Sequence, residues 1–287
     1  MSDTAAFEAQ RPRLKRLAYR MLGSVSEAED VVQDTWLRWD RAGDAALDAG
    51  AWLAQTTTRL CLDRLKSARA RRETYVGPWL PEPLIEEEPV DPLERAEDVS
   101  VAFLLALERL SPLERAVFLL HDVFDQDYGQ VAKALGRDEA ACRQLASRAR
   151  GHLKEARPRY SVPQDEALRL AAAFMTASAS QDFAALERLL ARDAVLISDG
   201  GGKRKAALRP LVGREDVIAL LKGLAWRGPW AGDIKDMRPA RINGLPGVIL
   251  RAEDGVTTMA FEPDGEGRIA AIYIMRNPEK LGHLSPG

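Results

Sequence analysis

Thiols, histidines and long apolar runs are scarce in this sequence, and each scarcity removes a class of protein. The two cysteines, Cys61 and Cys142, sit in apolar helical patterns with no CxxC and no partner spacing. That excludes a disulfide framework and a structural zinc site, and it fits a reducing cytoplasm. No stretch approaches 18 apolar residues, and the start MSDTAAFEAQRPRLKR lacks an apolar signal core. The expectation is a chain that is neither exported nor membrane-spanning, with no membrane partner. An excess of one charge is missing too: 41 Lys+Arg against 43 Asp+Glu leaves a formal −2. Such a balance argues against a uniformly basic nucleic-acid coat, although an average can conceal opposing blocks. What is present is ample core material, 46% apolar over 287 residues, enough for two or three domains.

The blocks are there. Arg59, Arg64, Lys66, Arg69, Arg71 and Arg72 face one acid, Asp63. Over 73–98 nine acids face only Arg95, and over 133–159 eight basic residues face Asp138, Glu139 and Glu155. Two basic helical segments therefore flank an acidic link carrying Pro78, Pro81, Pro83, Pro89 and Pro92. Those prolines forbid a helix, yet Trp79, Leu80, Leu84 and Ile85 are too apolar for a fully solvated linker. Something is expected to pack on them.

Leu14, Leu17, Ala18, Met21 and Leu22 recur at helical spacing, and Ser26 with Glu29 reads as a capping box opening the helix AEDVVQDTWLRW. A third helix begins near Trp52 and runs into the first basic block. Helices resume over 99–110, and Ser111-Pro112 caps the helix LERAVFLLHDVF. Beyond Pro158 and Pro163 the style changes. Helices over 165–179 and 183–190 precede a strand over 194–198, the loop DGGGK and a helix near Arg214. Strand-rich runs over 235–242, 248–252, 256–261 and 268–275 are broken by Asn243-Gly244, Asp254-Gly255 and Asp264-Gly265, the pattern of an antiparallel meander.

DYGQVAKALGRDEAACRQLASRARGHL carries chemistry. Val131, Ala132 and Leu135 line a short helix, Gly136 breaks it, and Asp138 caps a second helix burying Cys142, Leu145 or Ala146, Ala149 and Leu153. This is helix-turn-helix patterning, with Glu139, Arg143, Gln144, Ser147 and Arg148 left outward. Arg and Gln reach base edges bidentately, while Ser147, Arg150 and Lys154 suit phosphates. In EDVVQDTWLRW, Asp30, Gln33, Asp34, Trp36 and Leu37 combine acids with apolar area as a protein-docking face would. The basic end RLKSARARR suits phosphates or an opened single strand.

YRMLGSVSEAEDVVQDTWLRW, AWLAQTTTRLCLDRLKSARARR and LERLSPLERAVFLLHDVFDQDYGQVAKALGRDEAACRQLASRARGHL, in that order, resemble an extracytoplasmic-function (ECF) bacterial sigma factor over about 7–155. The resemblance implies core RNA polymerase as partner, through its β′ clamp helices and β flap, together with promoter DNA. The helix with Asp30, Gln33, Asp34, Trp36 and Leu37 would dock on the clamp. Loop 41–51 and the helix from Trp52, with Arg59, Asp63, Lys66, Arg69 and Arg72, would read the −10 element. The helix after Asp138, with Glu139, Arg143, Gln144, Ser147 and Arg148, would read the −35 element. Arg59 stands where many members have Asn, and Arg137 replaces a usual apolar turn residue.

The extra residues 161–281 resemble a SnoaL-like, nuclear-transport-factor-2-like cone. WLPEPL at 79–84, DGGGK at 199–203 and NPEKL at 277–281 resemble the SigJ-like sigma factors that carry this extension. The fold class implied is multidomain. Two all-α sigma domains, the second a helix-turn-helix, come with a C-terminal α+β cone-shaped SnoaL-like domain. The domains are 1–75, a linker over 76–98, 99–157 and 161–281. Family enzymes of this shape use an Asp or an Asp–His pair, but His121 and His152 fall in the sigma half and His283 past the last motif. Asp199 is the one carboxylate in a Gly-rich setting, and DGGGK reads equally well as a hairpin loop. A non-enzymatic cis-regulatory role is the reading, with no cofactor or metal. Trp79, Leu80 and Pro81 would be gripped by Asp199, Gly200, Lys203, Asn277, Pro278 and Lys280, and Lys203, Arg204 and Lys205 would face Glu86–Glu88. Whether the cone holds a small-molecule ligand stays open. A ligand-responsive helix-turn-helix regulator and a DNA-tethered enzyme are the competing readings.

Overall fold

Gly23 and Ser24 separate the first two helices of the chain, of which this computed structural model describes residues 4–42, 48–86, 100–154, 164–226 and 234–284. Helix α1 (Thr4–Leu22) stops where Gly23 turns left-handed, φ 68°, and donates its N–H to Tyr19 O. Helix α2 (Val25–Ala42) then starts at once, because Ser24 Oγ accepts the Glu27 N–H at 3.1 Å. The cap is therefore Ser24 and not Ser26. Both serines head an S-x-x-E pattern, and the one beside the glycine turn reaches the free amides first. Helix α3 (Ala49–Glu73) completes the first helical group. Phe7, Leu14, Val32, Trp39 and Leu53 form its core, with Trp36 tilted on Phe7 at 4.9 Å and Trp52 on Trp39 at 5.4 Å. Burial of each such side chain contributes about 1.5–3 kcal/mol.

Helices α4 (Val101–Leu107) and α5 (Pro112–Phe118) follow, the latter opened by a Ser111–Glu114 capping box with Pro112 in its first turn. The helix expected to continue through LLHDVF instead widens into a π segment over Leu119–Val123, where Phe124 N bonds Leu119 O. Helix α6 (Tyr128–Leu135) ends on left-handed Gly136, and α7 (Glu139–Leu153) starts on Asp138, whose carboxylate accepts Ala141 N–H at 2.7 Å. The chain forms two compact units. One holds Met1–Thr74 with Ala102–Arg157, the other Tyr75–Val101 with Pro158–Gly287. The proline-bearing segment from Tyr75 thus belongs with the C-terminal part.

In that second unit, strand β1 (Ile85–Glu86) is followed by helices α8 (Gln164–Ala179) and α9 (Phe183–Leu189) and strands β2 (Leu190–Asp199) and β3 (Leu211–Val212). Helix α10 (Arg214–Trp226) precedes β4 (Ile234–Ile242), β5 (Leu245–Ala252), β6 (Gly255–Pro263) and β7 (Ile269–Met275). The sheet order is β1-β4-β5-β6-β7-β2-β3. The expected meander is present as β4 to β7, turned at Asn243-Gly244, where φ is positive at both residues. DGGGK opens the long connection from β2 to its antiparallel neighbour β3, with Leu196 opposite Leu211, while on its other side β2 runs parallel to β7, with Leu196 opposite Ile272. Phe174 of α8 packs on Phe261 of β6 at 5.1 Å, within a core that also takes Leu186, Val217, Met259 and Ile272. The layout is the α+β cone-shaped, SnoaL-like domain the sequence led us to expect.

Candidate DNA-binding helices and the linker latch

The spacing of Cys142, Leu145, Ala146, Ala149 and Leu153 puts all five inside the helix-turn-helix, so Glu139, Arg143, Gln144, Ser147 and Arg148 are left exposed on α7. Several are already engaged. Arg143 pairs with Glu139 at 2.5 Å and lies 5.2 Å over the Tyr128 ring, which stacks on His121. Arg148 reaches Glu114 at 3.0 Å, and Arg150 bonds Asp122 at 2.7 Å. Burial alone would raise the Glu114 carboxyl, but hydrogen bonds from the Ser111 side chain and backbone, with Arg148 nearby, bring it below the ordinary carboxylate value.

On α2, Asp30, Gln33 and Leu37 are exposed, while Asp34 and Trp36 are half-buried. Arg64 of α3 bonds both acids, Asp34 at 3.1 Å and Asp30 at 3.3 Å. The guanidinium thereby steadies the acidic face. Asp63 and Lys66 form an exposed pair at 2.8 Å. The side chains of Arg69 and Arg72 and the loop over 43–47 lie outside the described residues. Arg59 points at protein. Its Nε donates to Ala134 O at 2.9 Å and its Nη2 to Lys133 O at 3.2 Å, beside Gln55, which donates to the same Lys133 O at 3.0 Å.

The three short motifs meet at one carboxylate. Asp199 is fully buried. Its Oδ1 accepts from Tyr75 OH at 2.6 Å and Gly201 N at 3.0 Å, and its Oδ2 from Leu80 N at 2.9 Å and Lys280 Nζ at 2.8 Å. Lys280 Nζ also donates to Leu80 O at 2.6 Å and lies over the rings of Tyr75 (4.7 Å) and Trp79 (4.3 Å). Asn277 Nδ2 donates to Tyr75 OH at 2.8 Å, and the N–H groups of Arg276 and Asn277 both donate to Asp199 O. Burial, then the hydrogen bond to the Asp199 carboxylate, pushes the Tyr75 phenol well above its ordinary pKa. The glycines follow from crowding: a Cβ on Gly200 would lie 2.1 Å from Arg204 O, and one on Gly201 2.3 Å from Asn277 Nδ2. Lys203 pairs with Glu279, and Pro278 opens the short 3-10 turn over 278–280 that Asn277 caps. Leu80 and Pro81 are buried, and Trp79 is half-buried. Further along, β1 adds to the edge of β4, with Asn243 N bonded to Leu84 O and His283 Nε2 3.1 Å from Pro83 O.

One part of this arrangement differs from expectation. Tyr75 lies outside all three motifs yet is central, and its only sequence signal was an aromatic just ahead of WLPEPL. Of the cations after DGGG, Arg204 pairs with Asp254 and donates to Val256 O, and Lys203 pairs with Glu279, whereas the Glu86 side chain, Glu87 and Glu88 lie outside the described residues.

Comparison with known proteins agrees with this geometry. The Sigma-70 region 2 model matches residues 6–71 and the Sigma-70 region 4 model residues 100–153. The chain belongs to the ECF RNA polymerase sigma factors, transcription initiation factors that act with core polymerase at promoters. It is 38% identical to the ECF sigma factor SigJ of Mycobacterium tuberculosis, over 97% of this chain and 93% of that one. It is 35% identical to the probable ECF sigma factor SigI of Mycobacterium tuberculosis, over 98% and 95%. The crystal structure of Mycobacterium tuberculosis SigJ superposes with a TM-score of 0.79 at 35% identity, covering 98% of each chain. These relatives are initiation factors rather than enzymes, and among the described residues no helix is long and apolar enough to cross a membrane.

Proposed function

We propose that α2, through Asp30, Gln33, Asp34, Trp36 and Leu37, docks on the β′ clamp helices of core polymerase. On this reading α3 and the loop before it engage the −10 element, while α7, against the β flap, presents Arg143, Gln144 and Ser147 to the −35 element. The C-terminal domain acts in cis, without catalysis, by holding the linker. The observation that carries this last point is Asp199: buried, with all four of its hydrogen bonds directed to the linker, its own loop and the NPEKL turn, it has no lone pair left for acid–base work. The pocket lined by Ser178, Phe183, Leu186, Leu221 and Ala225 has room for about one water. The site of action is the cytoplasm, where core polymerase and promoters are.

Run-off transcription with core polymerase and the full-length Asp199→Asn protein tests the cis role. Altered promoter-dependent output with unchanged core binding is expected. Output equal to that of the parent, with Leu80 amide exchange accelerated to show the linker freed, would sink it.

A further inference from the structure

Strand β4 (Ile234–Ile242) pairs with β5 along its inner side, whereas β1 covers its outer side only at Arg241 and Ile242. Among the described residues the stretch 234–240 therefore has an unpaired outer edge, and 235–239 is exposed. Residues along an antiparallel strand turn their N–H and C=O alternately to one neighbour and to the other. Asn243 N bonds Leu84 O on the outer side, so alternation directs the backbone groups of Arg241, Pro239 and Met237 outward as well. Pro239 thus sits where its missing N–H costs no bond to β5, which is where an edge strand tolerates proline. An open edge of this kind is a template for another strand.

We propose that two copies of the protein associate through this edge, their β4 strands pairing antiparallel about Met237 to join two C-terminal sheets into one. Charge picks the occupant. Met237 is the midpoint of 234–240, and a two-fold axis there sets it opposite the partner's Met237. Asp236 then faces the partner's Arg238, and Arg238 the partner's Asp236, while Ile234 meets Ala240 and Lys235 meets Pro239. The next bonding register on either side centres the pair on Asp236 or on Arg238 and sets that charge against itself, so one register is selected. The ends fit too. Because β4 begins at Ile234, the second strand stops opposite Ala240, short of Glu86 on Arg241. The side chains are available: Arg238 has no hydrogen bond or ion pair among the described residues, and Asp236 reaches Arg251 only at 3.9 Å. Met237, 51% exposed, lies opposite Leu250 on the sheet face that carries the core, and the partner's Met237 would cover it. The contact is isologous, so it closes at two copies. A pairing this short buries less than a standard interface, which makes the dimer weak and dependent on concentration.

Sedimentation of the full-length protein over a concentration series tests this, with a monomer–dimer equilibrium expected. Arg238→Asp and Asp236→Arg each oppose like charges twice, so either alone should weaken self-association by about tenfold. Mixed in equal amounts, the two variants oppose Asp to Arg at both places, and the mixture should associate at least as well as the parent. Cross-linking supplies a reading that does not depend on the folding of those variants. Met237→Cys should form a disulfide dimer under mild oxidation, since directly opposed Cα atoms lie about 5.5 Å apart. Lys235→Cys should not, because the two copies of that position lie about 13 Å apart along the strands. The native Cys61 and Cys142 are buried and do not compete. A parent that stays monomeric at every concentration overturns the proposal. So does a dimer that neither charge variant weakens, a mixture no better than its components when both have native helicity, or equal cross-linking from the two cysteine positions. Strong exchange protection of the Met237 amide in the dilute monomer would also overturn it, by showing the edge covered from within the chain.

Discussion

Lys280 Nζ sits 2.8 Å from Asp199 Oδ2, both side chains nearly or wholly out of solvent, and the same nitrogen holds the carbonyl of Leu80. One ion pair thereby joins the end of the chain, the glycine loop and the linker. Removing one partner leaves the other charge buried, which costs about 3–5 kcal/mol unless the linker lifts away.

Lys280→Met is therefore expected to destabilise the C-terminal unit by up to about that amount, and Asp199→Asn in the same chain to recover part of it. Denaturant unfolding of the two single variants and the double variant checks this. Strictly additive losses would contradict a coupled pair.

Gly201→Ala should cost at least about 1–2 kcal/mol, because the residue is left-handed at φ 59° and the new Cβ would strike Asn277. A thermal midpoint lowered by several degrees, with faster exchange of the Leu80 amide, is the expected readout.

Glu114 has a folded pKa below its ordinary 4.5, so its contribution to stability is present above that value and is lost as pH falls through the lower, folded one. Unfolding of the helix-turn-helix should accordingly grow easier on acidification below about 4.5. Glu114→Gln should flatten that part of the profile.

On the −35 assignment, Gln144→Ala should weaken discrimination at one base pair by about 1–3 kcal/mol. Tyr128→Leu, which removes the ring beneath Arg143, should relax specificity without matching that loss. Electrophoretic competition among single-base promoter variants measures both.

Much of the site was legible in one dimension. Cys142, Leu145, Ala146, Ala149 and Leu153 repeat at helical spacing, so the outward set on α7 followed without coordinates. The glycines of DGGGK and the prolines of the linker marked their segments for reasons local to each residue, and both positions of the β4–β5 turn are the Asn-Gly that a left-handed pair demands.

Pairing was a different matter. Three arginines on helices look alike in sequence, yet Arg64 neutralises Asp30 and Asp34, Arg59 caps α6, and Arg115 caps α1. Nothing local distinguishes them, because a long side chain takes whichever acceptor the packed helices bring within reach. Tyr75 and Lys280 are 205 residues apart in number and touch only because β2 ends beside β7 and the chain returns across it. Local spacing determined which faces are buried, which residues cap and which turns are possible. Only the tertiary structure decided which charges meet, since that depends on distances set by the whole core.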